Sequence, residues 1–379
     1  MIATLYWVCL GLILFSLFGY GLLWTALAKV WPQRPQVPER PQQATMIIAA
    51  RNEVADIGAK IASVLAQDLG PHEMRVLVVS DGSDDGTGDA ALRAGQGDPR
   101  LTVIEMPTHG GKAAALNAGL ARVAADQIVL FSDANARLRP GALCALLAPF
   151  GDPQVGGAIG QLDIPDQGGL MDRAERLFWR YDNAMKQAED RIGGTVSAQG
   201  TLYAVRRPLV GHVPPDMADD LFISLGVVAR GRRLAFAPRA VAEETITGKT
   251  KGEFGRRVRS TERGWRGLMH YARLMNPVVT GAYAPQLFFH KFLRRIVAFL
   301  LPVLLVANLA LLGEGWFYAV SLVAQLVVYG GAIAALLGAR FPGASAMVVF
   351  TVGHVAIAWA IVRWACGVRS TRWSPVRAD

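Results

Sequence analysis

The stretch Val129-Leu130-Phe131-Ser132-Asp133-Ala134-Asn135-Ala136 joins an apolar run to two oxygen-bearing side chains one residue apart. In an extended chain side chains alternate, so Asp133 and Asn135 point the same way and Ala134 points opposite. Two such groups at a strand's carboxyl end can hold a hard divalent cation, Mg2+ or Mn2+, whose shell is completed by phosphate oxygens and water. The same pair also suits an Asx turn. Asp81 directly follows another apolar run and offers a carboxylate that can accept a hydrogen bond from a base or ribose; it would equally cap the next turn. Gly110-Gly111-Lys112 opens a helical stretch, combining backbone N–H groups, a positive helix end and an ammonium in a phosphate cradle. Its plainer reading is an ordinary glycine turn.

These residues need elements that bring them together. Residues 45–50, 74–79, 101–105 and 128–132 are short apolar runs that read as strands. Between them, residues 53–67 carry helical periodicity through Ile57, Ile61, Val64 and Leu65, as do residues 88–94 and the stretch from Lys112 through Leu116, Leu120 and Val123. Strands alternating with helices imply a mainly parallel sheet, whose ligands bind at the carboxyl ends of the strands. Arg51, Asp81 and Asp133 all fall at that edge.

Four motifs now stand in order: Ala49-Ala50-Arg51-Asn52-Glu53, residues 79–87 around Asp81, Gly111-Lys112 with the helix start after it, and Phe131-Ser132-Asp133-Ala134-Asn135. Over residues 45–270 they resemble the membrane-bound family 2 glycosyltransferases, which include the cellulose, chitin, hyaluronan and poly-N-acetylglucosamine synthases. The resemblance implies an α/β GT-A (Rossmann-like) cytosolic domain, a nucleotide-sugar donor (a UDP-sugar) and inverting transfer. It places Arg51, Glu53, Asp81, Lys112, Ser132, Asp133 and Arg259 at the nucleotide-sugar, and Asp133 with Asn135 at the metal. The family carries Asp-x-Asp where this chain has Asn135, and a neutral amide is a weaker ligand for a hard cation.

The resemblance extends to the acceptor side. Gly200, Thr201 and Tyr203 match the segment lining the acceptor pocket, and Asp219-Asp220 matches the acidic motif whose second residue, Asp220, is the catalytic base. An acceptor hydroxyl must lose a proton as it attacks the anomeric carbon, and a carboxylate within hydrogen-bond reach can take it. The pair also suits the first turn of the apolar helix that follows. Arg263-Gly264-Trp265 stands approximately where the family has an Arg-Trp pair serving the leaving diphosphate and the acceptor. Arg259 and Arg263 lie four residues apart, on one helical face. A solvated basic helix beneath a membrane accounts for several of the same charges.

The chain's ends are apolar. Hydrophobic residues make up 52% of its 379 residues, and the mean hydropathy of +0.29 is concentrated there. Residues 1–30 read as a transmembrane anchor rather than a signal peptide, because no Lys or Arg precedes the apolar run and the run is too long for an h-region. Residues 31–44 are a stiff Pro-rich linker. Residues 271–295 read as interfacial, with aromatic and basic side chains including Tyr283, His290, Lys291, Arg294 and Arg295. Residues 296–366 hold further spans, and 367–379 form a basic tail.

Positive charge around the linker puts the catalytic domain on the cytoplasmic face of the inner membrane. One anchor plus three spans would put both termini outside, which conflicts with Arg363, Arg369, Arg372 and Arg377. A net charge of +9 without zinc-finger spacing or a compact Lys/Arg run points to lipid headgroups and phosphate rather than nucleic acid. Cys9, Cys144 and Cys366 are too scattered for a disulfide framework. The expected activity is transfer of a sugar to a growing exopolysaccharide or cell-surface glycan. The alternatives are transfer of one sugar to a membrane lipid, as in ceramide- or hopanoid-type enzymes, and a non-catalytic sensor with a degenerate transferase domain.

Overall fold

The computed structural model describes residues 1–32, 34, 37–165, 170–244 and 253–368. The basic tail beyond Val368, and Lys249 and Lys251, lie outside the described residues. An apolar helix, α1 (Ile2–Val30), opens the chain. An α/β domain follows: β1 (Gln43–Ala50), α2 (Ile57–Leu65), β2 (Glu73–Asp81), α3 (Thr87–Gly95), β3 (Leu101–Met106), α4 (Lys112–Leu120), β4 (Ile128–Phe131), β5 (Arg137–Leu138), α5 (Ala142–Leu147) and β6 (Val155–Asp163). It continues with α6 (Leu170–Ile192), β7 (Tyr203–Arg206), α7 (Asp219–Ala229), β8 (Arg233–Glu243) and α8 (Glu253–His270). Three apolar helices close the chain: α9 (Tyr283–Ala310), α10 (Trp316–Leu336) and α11 (Ala344–Ala365).

Eight strands form one sheet in the order β3-β2-β1-β4-β7-β6-β8-β5. The first four are parallel, as the alternation implies; β7 then runs antiparallel to both β4 and β6. Period-two alternation divides the core. Ala44, Met46, Ile48 and Ala50 of β1 face Ile57, Ile61 and Val64 of α2, with α5 on the same side. Ile47 faces the other way, onto Ala115, Leu116 and Leu120 of α4.

The helix expected over 53–67 begins only at Ile57, because the residues before it are tied to the loop after β2. Asn52 adopts φ 55°, and its backbone N–H donates to Ser83 Oγ at 3.1 Å, while that of Glu53 donates to Thr87 Oγ1 at 2.9 Å. Asn and Gly tolerate this left-handed conformation best.

The apolar ends fold onto each other and onto the domain. Tyr6, Cys9 and Ile13 of α1 pack against Val297, Leu301, Leu304 and Ala307 of α9. Further along, Tyr20, Trp24 and Ala28 pack on Met185, Ala188 and Ile192 of α6. Buried Glu189 of α6 accepts from Tyr20 Oη at 2.6 Å and lies 2.7 Å from His290 Nδ1, joining the domain to two helices at once. Within the segment read as interfacial, 271–295, the chain from Tyr283 onward is continuous with the first C-terminal apolar helix. The reason is that its charged residues turn inward to such partners. A wider π-helical turn at Phe288–Leu293 carries His290 and Lys291.

The far end of α11 returns to the domain. Arg363 Nε lies 3.5 Å from Glu262 Oε2, Trp364 meets Trp265 edge-on at 6.0 Å, and Arg266 donates to the carbonyl of Val368. Phe292, near the start of α9, stacks on the same Trp265. The start of α9 and the end of α11 therefore sit at one level, beside α8.

Ile61→Ala, in the fully buried α2 face, is expected to cost about 2–5 kcal/mol of stability. Leu336→Ala, 63% exposed on α10, leaves no cavity and is expected to shift the midpoint little. Thermal unfolding of both variants in one detergent checks the contrast.

Candidate active site

The carboxyl edge of the parallel strands gathers the charged residues. Lys112, the first residue of α4, reaches Asp133 Oδ1 at 2.8 Å and Asp219 Oδ2 at 3.2 Å. Asp133 follows β4, and Asp219 and Asp220 form the first turn of α7. Burial would raise the Asp133 carboxyl, but the Lys112 ammonium, helped by Lys60, holds it below the usual range. Asp220 moves the other way: burial first, then the neighbouring charge of Asp219, push it up to about 6. The structure thus separates two nearby carboxylates into an ionised one on a cation and one poised near neutrality.

Beneath them lies Lys60, which the sequence reading missed. It is fully buried, and its Nζ donates to Ser132 Oγ at 2.5 Å; Ser132 Oγ in turn donates to the carbonyl of Thr201. Burial lowers this amine to about 7, against the pull of Asp133. Tyr203 stacks on Phe131 at 4.8 Å, and its buried hydroxyl, without a hydrogen-bond partner, is within electrostatic reach of Asp219, Asp220 and Asp133. Gly200 packs so closely that a Cβ there would lie 2.7 Å from Asp133 Oδ2. Asn135 donates its amide to Glu244 Oε1 at 3.0 Å, one residue past the end of β8.

Residues 45–210 match the family profile described as Glycosyl transferase family 2. The chain is 27% identical over 227 residues to an N-acetylglucosaminyltransferase of Rhizobium meliloti (strain 1021), covering 55% of this chain and 53% of that protein. It is 29% identical over 180 residues to the succinoglycan biosynthesis protein ExoU of the same organism, covering 47% and 49%. The chain thus spans about half the length of these curated relatives. Among solved structures, it resembles the mannosyltransferase PcManGT from Pyrobaculum calidifontis, solved in complex with GDP-Man and Mn2+, with TM-score 0.70 and 24% identity over 95% of this chain and 98% of that one. Residues 45–210 thus carry the sequence pattern of a glycosyl transferase family 2 domain.

The GT-A fold of this glycosyltransferase domain puts most of the expected site residues on one edge, with corrections. Asp81 has no exposure, and its carboxylate accepts from Gly110 N at 2.7 Å and Gly111 N at 2.9 Å and pairs with His109 Nδ1 at 2.8 Å. The two glycine amides expected at a phosphate are therefore spent on Asp81, and Arg51 Nη1 donates to the Asp81 carbonyl at 3.3 Å. Glu53, beside this loop, is raised to about 7 by burial and then by Asp56, Asp133 and Asp85.

Trp265, expected as an acceptor platform, is only 4% exposed and packs in the core between α8, α9 and α11. Arg263 Nη2 donates to the Met217 carbonyl at 2.9 Å and so braces the loop that presents Asp219 and Asp220. Arg259, one turn before Arg263 on α8, is half-buried and makes no ion pair among the described residues.

Arg295 of α9, which the sequence reading had put in the interfacial segment, reaches the same part of α8. Its Nη2 would lie 3.0 Å from a Cβ on Gly264, it is within electrostatic reach of Asp220, and its Nη1 donates to the Lys291 carbonyl at 2.8 Å. The glycine that interrupts the Arg-Trp pair is thus what admits this guanidinium.

Among the described residues, one set of three His, Cys, Asp or Glu ligand atoms lies within 4.8 Å of one another: Glu39, His72 and Cys144, at the opposite edge of the sheet. The Gln42 N–H donates to His72 Nδ1 at 3.2 Å, so Nε2 carries the proton and donates to Glu39 at 2.9 Å. A protonated Nε2 has no lone pair for a metal.

Asp81→Asn keeps the shape but replaces an acceptor oxygen with a donor, leaving one glycine amide unpaired. The expected cost is about 1–3 kcal/mol, seen as a lowered unfolding midpoint. A variant with an unchanged midpoint and lost nucleotide binding would instead assign Asp81 to the ligand.

Proposed function

We propose that this chain is a membrane-held, metal-dependent, inverting glycosyltransferase that moves a sugar from a nucleotide-sugar donor to a glycan acceptor. The observation that carries this reading is the Lys112 ammonium held between Asp133 and Asp219, one residue from the raised Asp220. A cation already occupies the place where Asp133 would meet a divalent ion, and Gly200 keeps the second oxygen of Asp133 uncrowded. These residues fit a bound Mg2+ or Mn2+, which would supply charge stabilisation for the leaving nucleoside diphosphate. Asp133 would hold the ion and Lys112 would face the phosphates; Asp220 takes the acceptor hydroxyl's proton as that oxygen bonds to the anomeric carbon and the nucleoside diphosphate leaves in a single displacement. PcManGT, of similar fold, was solved with GDP-Man and Mn2+, which supports the nucleotide-sugar and metal parts. The names of the relatives, an N-acetylglucosaminyltransferase and a succinoglycan biosynthesis protein, support a glycan acceptor.

One observation favours a second reading, transfer of a single sugar to a membrane lipid. Arg295, on an apolar helix, stands beside Asp220, while Trp265 is packed away from any sugar. Both readings place the catalytic domain on the cytoplasmic face. The return of α11 to α8 supports an end of α11 on that same face, in accord with Arg363.

The test is nucleotide release from a panel of UDP- and GDP-sugars by the detergent-purified chain with membrane lipid extract, in Mg2+, Mn2+ or EDTA. One donor is expected to turn over with metal and not with EDTA, and Asp220→Asn is expected to lose about 10²–10⁴-fold in rate. Product size separates polymer from glycolipid. Absence of turnover with every donor, from folded protein that binds nucleotide, would refute the reading.

The pH profile adds a second check. Because Asp220 is raised to about 6, the active, deprotonated base is lost as pH falls through that value. An acid limb near pH 6 is expected in the rate profile.

A further inference from the structure

Asp133 and Asn135 together bring a single negative charge to a divalent cation, too little for a hard ion that gains affinity from carboxylates. The chain has a carboxylate in reach. Glu244 stands one residue past the end of β8, where its backbone N–H donates to the Asp163 carbonyl at 3.2 Å. Arg139 fixes this corner by pairing with both Asp163 and Glu243 at 2.5 Å, so the position of Glu244 is set by the ends of two strands rather than by a free loop. Its side chain folds inward, accepts from Asn135 Nδ2 at 3.0 Å, and lies within electrostatic reach of Asp133, Lys112 and Arg256. The Asn135 amide thus spends its donor on Glu244, which leaves its own oxygen on the side opposite that bond. Asp133, Glu244 and the Asn135 carbonyl form an all-oxygen donor set suited to Mg2+ or Mn2+. A second sign that this place awaits a ligand is the buried Tyr203 hydroxyl, unpartnered and within electrostatic reach of Asp133 as well as Asp219 and Asp220. Among the described residues no three of these carboxylates lie at ligand spacing; Lys112 bridges Asp133 and Asp219.

We propose that Glu244 supplies the second carboxylate of the cation site from β8, and that Asn135 is the residue that positions it. The change from Asp to Asn at 135 is then a relocation of charge rather than its loss: an aspartate at 135 would repel Glu244, whereas an amide holds it. The inference rests on the metal-dependent reading above.

The experiment is Mn2+ binding to the detergent-purified full chain with GDP or UDP, followed by loss of the free-ion electron paramagnetic resonance signal. The proteins are the wild type, Glu244→Gln, Asn135→Asp and the double variant, each with its unfolding midpoint. Glu244→Gln is expected to weaken Mn2+ binding by about 10–100-fold. The double variant, which returns a carboxylate at 135, is expected to recover most of that loss, a result that a merely structural Glu244 would not give. Wild-type affinity in a folded Glu244→Gln variant would overturn the proposal and leave the proposed function standing. Should Glu244→Gln fail to fold, a folded double variant with affinity still weakened as far as 100-fold would overturn it. Absence of Mn2+ binding by the wild type with either nucleotide would overturn this proposal and the metal-dependent reading together.

Discussion

Three carboxylates, Asp133, Asp219 and Asp220, converge where the sheet meets α7, and like charges at such range cannot all stay ionised without cations among them. Lys112 answers two of them, Lys60 lies under Asp133, and Arg295 stands toward Asp220. Each cation comes from a different element: the start of α4, the buried face of α2, and an apolar helix distant in sequence. The arrangement of the domain is in large part the arrangement that delivers these charges. Breaking one partner of such a pair leaves an uncompensated charge, which costs far more than the pair contributes.

The parallel half of the sheet was legible because its signals are local. Runs such as 45–50 and 128–132 are short, apolar and bounded by polar turns, and strand–helix alternation leaves few topologies open. The acidic positions were legible for the same reason, since Asp81 and Asp133 announce themselves by following strands. What those residues do was less legible. Asp81 meets its amide partners across 28 to 30 residues of chain, and no spacing rule predicts that a carboxylate will be filled by the loop expected to hold phosphate. Lys60 looks like a solvent-facing residue in an amphipathic helix until Ser132 is seen above it. Glu244 and Arg295 carry no local motif at all; each gains meaning only from a neighbour more than 30 residues away in sequence. Trp265 had a motif, but the aromatic surface of α9 and α11 claimed it for packing.

The apolar helices are joined to the domain by chemistry of two kinds. Nonpolar contacts, such as Trp265 with Phe292 and Trp364, supply area but little direction. The hydrogen bonds of Glu189 to Tyr20 and His290 supply direction, because a buried carboxylate tolerates few alternative partners. Burial pushes Glu189 up to about 7, so the joint holds a group able to exist in either protonation state near neutrality.

The way α6 and α8 are used by the helices has a practical side. Met185, Ala188 and Ile192 of α6, and Trp265 and Leu268 of α8, are covered by α1, α9 and α11 rather than by the sheet. A fragment cut at the apparent limits of the catalytic domain would present these faces to water as adjoining greasy patches. Its carboxylates would also lose Arg295. Solubility and the charge balance of the candidate site are therefore bound to the same helices, and the domain is not a module that can be lifted from its apolar helices intact.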